Sequence, residues 1–482
     1  MSDKIQRGST SLALKAGFWY VVSNFLVKAI SFITTPIFTR LMTPEHYGEF
    51  SNYASWQTTL LIITGAELYN TLSRAYYDYT EDYDKYVSSV TITSFLLTVG
   101  MYGLFLLCRP WIFTVVAIPP QLVHMLFFTL AFQSCKAVWL ARERTLYRYK
   151  SVAVVSMLNL VLPTLIALAL VLWLPMEQRL DARIYGTYIP MSLIGLACAG
   201  SMLLKGRSFR TEHVKYALKL SMPLLVHYLT VSLLTSSNTM VTKSMLSAEA
   251  AALVSITTST IHILTVLFQA LSGAVTTWLM DNLNQNNHSI VRKGILLYTT
   301  GVSVVAIGTI LLAPEIVWIL GGKQYMAATV LIPGLVLGIV FQSVASVFNI
   351  ILTYDKNLVK TAIYTGVIAV VSIAAKILML PTMGYDVLPW INAIGFAMLF
   401  AVNYVLVKRA GYGKFINIKA VMAVILACAI VVVMSFFVYE HTVIRYSVIG
   451  AFAAAFLVVL FKYRHVIIKF VKTKLRSKKA NA

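Results

Sequence analysis

Apolar segments about 20 residues long follow one another almost without interruption from residue 16 to residue 461. No water-soluble core can absorb so many. Only 12% of the residues are charged, against 59% hydrophobic, where a soluble domain carries roughly 25% charged. The mean hydropathy of +0.77 agrees. At ~20 residues per span plus short loops, 482 residues hold about 14 transmembrane helices. The chain is therefore expected to be an all-α polytopic membrane protein, which excludes soluble enzymes, disordered scaffolds and secreted disulfide modules. The cysteines Cys108, Cys135, Cys198 and Cys428 all lie in apolar stretches and read as small core residues. The basic N-terminal tail and the apolar run after it read as a retained first helix, not a signal peptide.

The net charge is +22. In a soluble chain that excess would suggest nucleic acid, but its distribution along the loops gives another reading. With the N-terminus placed in the cytoplasm, alternate loops and the two tails collect about 29 of the 40 Lys and Arg, Arg142, Arg148, Arg210 and Lys414 among them. The opposite loops collect about 7, including Arg40, Arg179, Arg183, Lys243 and Lys323. The positive-inside rule then predicts an even number of spans with both termini cytoplasmic. The basic excess is an orientation signal, and no nucleic-acid partner is expected.

A faint internal repeat is present. Ala13-Leu14-Lys15 recurs as Ala217-Leu218-Lys219, and Thr43-Pro44-Glu45 is echoed by Ser247-Ala248-Glu249, each roughly 204 residues later. Duplicated halves are common in transporters. The expected organisation is an N-terminal six-helix bundle over 1–212, a pseudo-symmetric second bundle over 213–412, and two further helices with a basic tail over 413–482.

Lipid-facing surfaces should be apolar, so polar stripes at helical spacing mark a bundle interior or a wet cavity. Span 1 carries Asn24, Lys28, Ser31 and Thr35. Span 8 carries Ser255, Thr258, His262, Thr265, Gln269, Ser272 and Thr276, too long a stripe for packing contacts alone. Span 10 carries Gln342, Ser346, Asn349 and Thr353, which either a cavity or interhelical hydrogen bonding would explain. Lys28 is the sharpest single residue. It lies ~18 Å of helix from either interface, beyond the ~6 Å reach of a snorkelling lysine. An ammonium there costs ~2.5–3.5 kcal/mol unless paired or hydrated, so it must face water or a partner such as Glu67. Lys136 and Lys376 lie nearer span ends, where snorkelling explains them. Glu67, grouped with Asn70 and Arg74, is a candidate coupling carboxylate or the partner of Arg74. His124, His227 and His262 are candidate relays or buried, hydrogen-bonded histidines.

Enzyme motifs fail on inspection. Gly321-Gly322-Lys323 lacks the rest of a phosphate loop, and Asp82-Tyr83-Asp84 has no nucleotide-binding domain around it. No metal cluster, nucleophile elbow or cofactor fingerprint is present, so no cofactor is expected and the chain reads as a transporter.

The segment Pro36-Ile37-Phe38-Thr39-Arg40-Leu41-Met42-Thr43-Pro44-Glu45-His46-Tyr47-Gly48-Glu49-Phe50 resembles the turn after the first helix of polysaccharide (Wzx-type) flippases, in the multidrug/oligosaccharidyl-lipid/polysaccharide exporter superfamily. The resemblance implies two six-helix bundles around a central cavity plus two C-terminal helices. It also implies alternating access carrying an undecaprenyl-pyrophosphate-linked oligosaccharide, such as an O-antigen unit, across the bacterial inner membrane. A polysaccharide polymerase and a chain-length regulator are the protein partners it implies. Lys28 would then engage the pyrophosphate with Arg40 as an exit cation, and Asn24, Ser31, Thr258, His262 and Gln269 would complete the substrate set. Glu67 and His227 would be coupling candidates. The alternatives are a drug/cation antiporter, a lipid II flippase and, from a different class, a polysaccharide polymerase or ligase, which would need a larger periplasmic loop. Reporter fusions after Arg148 and Lys414 should be cytoplasmic and those near Arg109 and Lys323 periplasmic; inversion at two of the four overturns the span assignment.

Overall fold

The computed structural model describes residue 30 and residues 32–108, 116–355, 358–452 and 454. Among these residues the fold is helical, with no strand. The last turns of the first span, residues 32–41, lead through Thr43 into α1 (Pro44–Gly65). Thr43 caps α1 by accepting a bond from the His46 N–H, with Pro44 and Glu45 in the first turn, where no intrahelical donor is needed and negative charge meets the positive helix end. The helices α2 (Leu72–Asp78), α3 (Tyr83–Leu107), α4 (Pro120–Thr145), α5 (Tyr149–Trp173), α6 (Arg179–Gly206), α7 (Thr211–Met245) and α8 (Ala248–Asn284) follow. Then come α9 (His288–Leu311), the short α10 (Ala313–Gly321), α11 (Ile332–Tyr354), α12 (Leu358–Met383), α13 (Leu388–Arg409) and α14 (Ile418–Glu440).

Nine helical stretches among the described residues are long and apolar enough to cross a membrane, and the bent α7 makes a tenth. With α1 and α8, which are long enough but carry more polar faces, the spans expected as second to thirteenth are present. The first and fourteenth run into residues outside those described. This is a multi-pass membrane protein. Within hydrocarbon only a helix satisfies its own backbone, which is why the apolar runs take this form.

Span 2 departs from the expected single helix over 48–73. Ala66 and Glu67 both adopt left-handed backbone angles, φ 46° and 52°, and the chain continues as a 3-10 turn before α2. Of the four cysteines, Cys135, Cys198 and Cys428 are buried as expected, whereas Cys108 is exposed at the end of α3. Asp82 and Asp84 tie the basic loops together. Asp82 accepts from Lys85 at 2.6 Å and Arg210 at 2.7 Å, and Arg142 reaches Asp84 at 2.6 Å. Those two cations hold the Asp82 carboxyl below the usual carboxylate range, Lys85 most strongly.

Helices α1 and α3–α6 pack on one another, and α11 and α13 form the most intimate pair of the other half. There a Cβ on Gly334 would lie 2.6 Å from Pro389, so only glycine permits the approach. α14 lies against α9, and Arg445 just after it pairs with Glu315 of α10.

The two halves meet chiefly at the end of the molecule opposite the basic loops, here the far end. Thr39 donates to the Leu320 carbonyl at 2.6 Å, and Gln324 donates to the Thr39 carbonyl at 2.8 Å. Lys243 of α7 pairs with Glu49 of α1. The Tyr47 and Tyr325 rings meet edge to face, with centroids 6.1 Å apart. Gly48 is pressed against the start of α8, where a Cβ would fall 1.7 Å from the Ala248 carbonyl oxygen. At the basic end, the apolar cluster around Leu68, Leu72, Tyr86 and Met202 takes in α7 but no residue of α8–α14. Overpacking a tight contact costs ~1–3 kcal/mol. A Glu49→Cys/Lys243→Cys pair should therefore cross-link efficiently, and adding Gly48→Leu should sharply reduce the cross-linked fraction on a gel.

Candidate functional site

Between the halves lies a central cavity of about 610 Å³. Its wall is contributed by residues 34–38, α1, α5, α6, the far half of α7 and residues 255–262 of α8. Hydroxyls dominate it. Ser55 and Thr58 of α1, Thr164 of α5, Thr235 of α7, and Thr258 and Ser259 of α8 each donate to a carbonyl about one turn back on their own helix. A hydroxyl spent in this way still has oxygen lone pairs to offer. The wall thus presents acceptors to whatever enters, water or the hydroxyls of a sugar. Asn159 adds an amide oxygen without a hydrogen-bond partner.

Among the described residues the cation on this wall is Arg183 of α6. Its guanidinium lies 3.7 Å from the Phe50 ring centre, 4.2 Å from Phe38 and 4.9 Å from Tyr47. Arg183 is 7% exposed, and no carboxylate among the described residues lies within ion-pair distance of it. Each buried cation–π contact of this kind contributes up to ~2 kcal/mol, so aromatic faces replace a counter-ion. The positive-inside count had placed Arg183 in an outside loop. The signal available in the sequence was its position on the face shared with Thr187 and Met191, which also line the cavity.

Thr258 and His262 stand on the wall, as the span 8 stripe predicts. They also line a second chamber of about 240 Å³ among α7, α8, α11 and α13, together with Thr265, Asn238, Gln342 and Asn392. Thr258 and His262 thus border both spaces. Gln269 continues α8 about two turns beyond His262, and His227 lies at the bend of α7; neither side chain is among those described. Asn24, Lys28 and Ser31 lie outside the described residues. In the span 10 stripe, Gln342 faces the second chamber, while Asn349 meets Asn403 of α13 as a packing contact.

Three sequence expectations need correction. Arg40 is not on the cavity wall. Its guanidinium donates to the Pro36, Ile319 and Trp318 carbonyls at 2.8, 3.0 and 3.2 Å. Arg40 thus caps the C-terminal end of α10, where a cation meets the negative end of the helix dipole. Arg74 does not pair with Glu67; it points to Asp78 at 3.5 Å. Glu67 is buried at the break of span 2 and accepts from Asn70 at 2.6 Å. Lys376 does not snorkel: it is wholly enclosed. Lys136 donates to Gln133 within α4.

The profile of the family described as polysaccharide biosynthesis protein matches residues 13–280, more than half of the chain. The chain belongs to that family. No curated protein sequence matches it. Among solved structures, this family member is similar to a lipid II flippase MurJ in an inward closed conformation, at 15% identity and a TM-score of 0.69. That match covers 92% of this chain and 99% of the other. It is also similar to an inward-facing multidrug resistance MATE family transporter of the MOP superfamily, at 15% identity and a TM-score of 0.53, over 82% and 94%. The fold is thus the one these two solved structures share. Cysteines placed at Ser55 and Thr258 in a cysteine-free background should react with a membrane-impermeant thiol reagent from the face with the basic loops; equal labelling from both faces contradicts a cavity shut at the far end.

Proposed function

We propose that this protein carries an undecaprenyl-pyrophosphate-linked oligosaccharide, an O-antigen or related repeat unit, from the cytoplasmic to the periplasmic leaflet of the bacterial inner membrane. The observation that carries the reading is the chemistry of the cavity wall. Among the described residues it offers hydroxyl acceptors and Arg183, and no carboxylate. A cation antiporter needs carboxylates facing its cargo. Here the buried acids are engaged elsewhere, Glu49 with Lys243, Glu143 with Arg142, and Glu67 with Asn70. A phosphorylated glycan suits the wall, with sugar hydroxyls donating to the serines and threonines and the phosphates drawn to Arg183 and to Lys28 on the first span.

The basic loops face the cytoplasm in this reading, and so do both termini. The cavity is then closed toward the periplasm by the turn at Thr39–Gly48. The bundles over 1–212 and 213–412 would rock about the cavity, with 413–482 outside that movement. The work is to lower the barrier for a hydrated, charged headgroup in hydrocarbon, without covalent chemistry and without a cofactor. A polymerase and a chain-length regulator are the partners that would consume and order the product. A lipid II cargo is the second reading, favoured by the similarity to MurJ over nearly its whole length.

The test is proteoliposomes holding either the oligosaccharide lipid or lipid II, with transfer read by an impermeant glycosidase or lectin. Transfer of the oligosaccharide lipid alone supports the proposal, and transfer of lipid II alone replaces it with the second reading. Arg183→Gln and Lys28→Ala should each lower transfer at least about tenfold, the loss of a charge-assisted hydrogen bond, while protein abundance holds. Arg183→Lys should recover only part, because an ammonium lacks the planar face that stacks on Phe50.

A further inference from the structure

Lys376 lies on α12 and is 0% exposed. Its Nζ donates to Ser237 Oγ at 2.9 Å and to the Leu234 carbonyl at 3.3 Å, both on α7. No carboxylate among the described residues lies within ion-pair distance. One turn back on α12, the Ser372 hydroxyl is buried without a hydrogen-bond partner. A buried ammonium facing only neutral acceptors is rare in a membrane interior and marks function by default.

The surroundings hold little other charge. α13 has no titratable residue from Leu388 to Asn403, and α11 has none from Ile332 to Thr353. The 3-10 turn before α13 brings Tyr385 and Asp386, of which Asp386 is exposed. α7 brings Tyr228 toward the central cavity and, about four turns further on, Lys243, which is paired with Glu49. Of the residues near Lys376, Leu234 lines the second chamber, as do Asn238 and its hydrogen-bond partner Asn392. That chamber has a mixed lining in which Asn238, Thr258, His262, Gln342 and Asn392 supply polar groups, and at ~30 Å³ per water it has room for several. It shares Thr258 and His262 with the central cavity.

We propose that Lys376 is the proton-carrying residue of this transporter, exchanging its proton through the second chamber and thereby setting how firmly α12 holds the far half of α7. The chemistry balances without another reactant: the ammonium releases one proton to water and becomes an amine. The amine keeps two N–H donors and gains a lone pair, and the Ser237 hydroxyl can turn from acceptor to donor to meet it. Each protonation state therefore finds partners. The charged state binds two α7 acceptors more strongly, and the neutral state escapes the penalty of an unpaired buried charge.

The mechanical consequence follows from α7. It bends by 41° between Thr211–Val226 and Tyr228–Met245. The near half is held to the first bundle through Tyr216 and His213, which meet Asp78 and Ser89. The far half carries the Lys376 acceptors, part of the central cavity wall and Lys243 of the far-end ion pair. A proton on Lys376 thus tightens the element that closes the cavity. This consequence rests on the transporter reading; the protonation itself does not.

The experiment is hydrogen–deuterium exchange on the full-length protein in lipid nanodiscs without substrate, from pH 6 to pH 9, corrected for the intrinsic pH dependence of exchange. In the wild type, protection of residues 228–245 and 366–383 should fall by about tenfold as pH rises. Lys376→Met should exchange at both pH values as the wild type does at high pH, and Lys376→Arg as it does at low pH. Lys376→Gln repeats the neutral arm should the methionine variant fail to reach the membrane. A wild-type profile flat with pH overturns the proposal whatever the variants do, and so does a neutral variant that keeps the wild-type profile. Because no substrate is present, such a failure leaves the flippase reading standing. A pH-sensitive α7 in a protein that transfers no oligosaccharide lipid would instead count against the flippase reading.

Discussion

Hydrocarbon offers no hydrogen-bond partners, and the rest of the structure depends on that fact. Each span must close its backbone within itself, so the chain becomes a set of helices, and polar side chains must then find one another or water. Most of the serines and threonines solve this locally, donating one turn back along their own helix. That local bond leaves each oxygen still able to accept. A wall built of such residues is therefore polar without being committed, which suits a cargo of many hydroxyls.

Charges obey the same constraint more strictly. Among the described residues three buried or half-buried acids sit in ion pairs, Glu143 with Arg142, Glu49 with Lys243 and Glu315 with Arg445, while the buried Glu67 accepts from Asn70. Two of these pairs, Glu49 with Lys243 and Glu315 with Arg445, fasten different helices near the ends of spans. Against that pattern two cations stand apart. Arg183 is balanced by aromatic rings at the closed end of the cavity, and Lys376 by a hydroxyl and a carbonyl in the second half. One faces the cargo space, and the other stands behind its wall. The far-end closure joins them, since Tyr47 touches Arg183 and Lys243 lies on the helix that Lys376 grips.

The closure also gives the Thr39–Gly48 turn a physical meaning. Its threonine and arginine bond to the carbonyls at the end of α10, its glycine admits the start of α8, and Glu49 just after it meets Lys243. The segment through which family resemblance was visible is the segment that seals one half against the other. Arg40 had looked like a substrate cation because it is basic and near a span end. Its geometry makes it a helix cap instead.

The sequence by itself determined the helical membrane fold, because ~20-residue apolar runs have one stable form in a bilayer. It also marked α8 as a cavity helix, because seven polar residues on one face cannot all face lipid. The tertiary structure alone decided which polar residues share a space. Periodicity fixes the face of a helix and not its neighbour, so it could not separate Thr258, on the cavity, from Asn349, packed on Asn403. Distance from a span end fixes how far a lysine could reach and not which way it turns, so Lys376 looked free to snorkel and is instead enclosed. Loop counting assigned Arg183 to the outside for the same reason. Its aromatic partners come from residues more than 130 positions earlier, and only the folding of α6 against α1 brings them together.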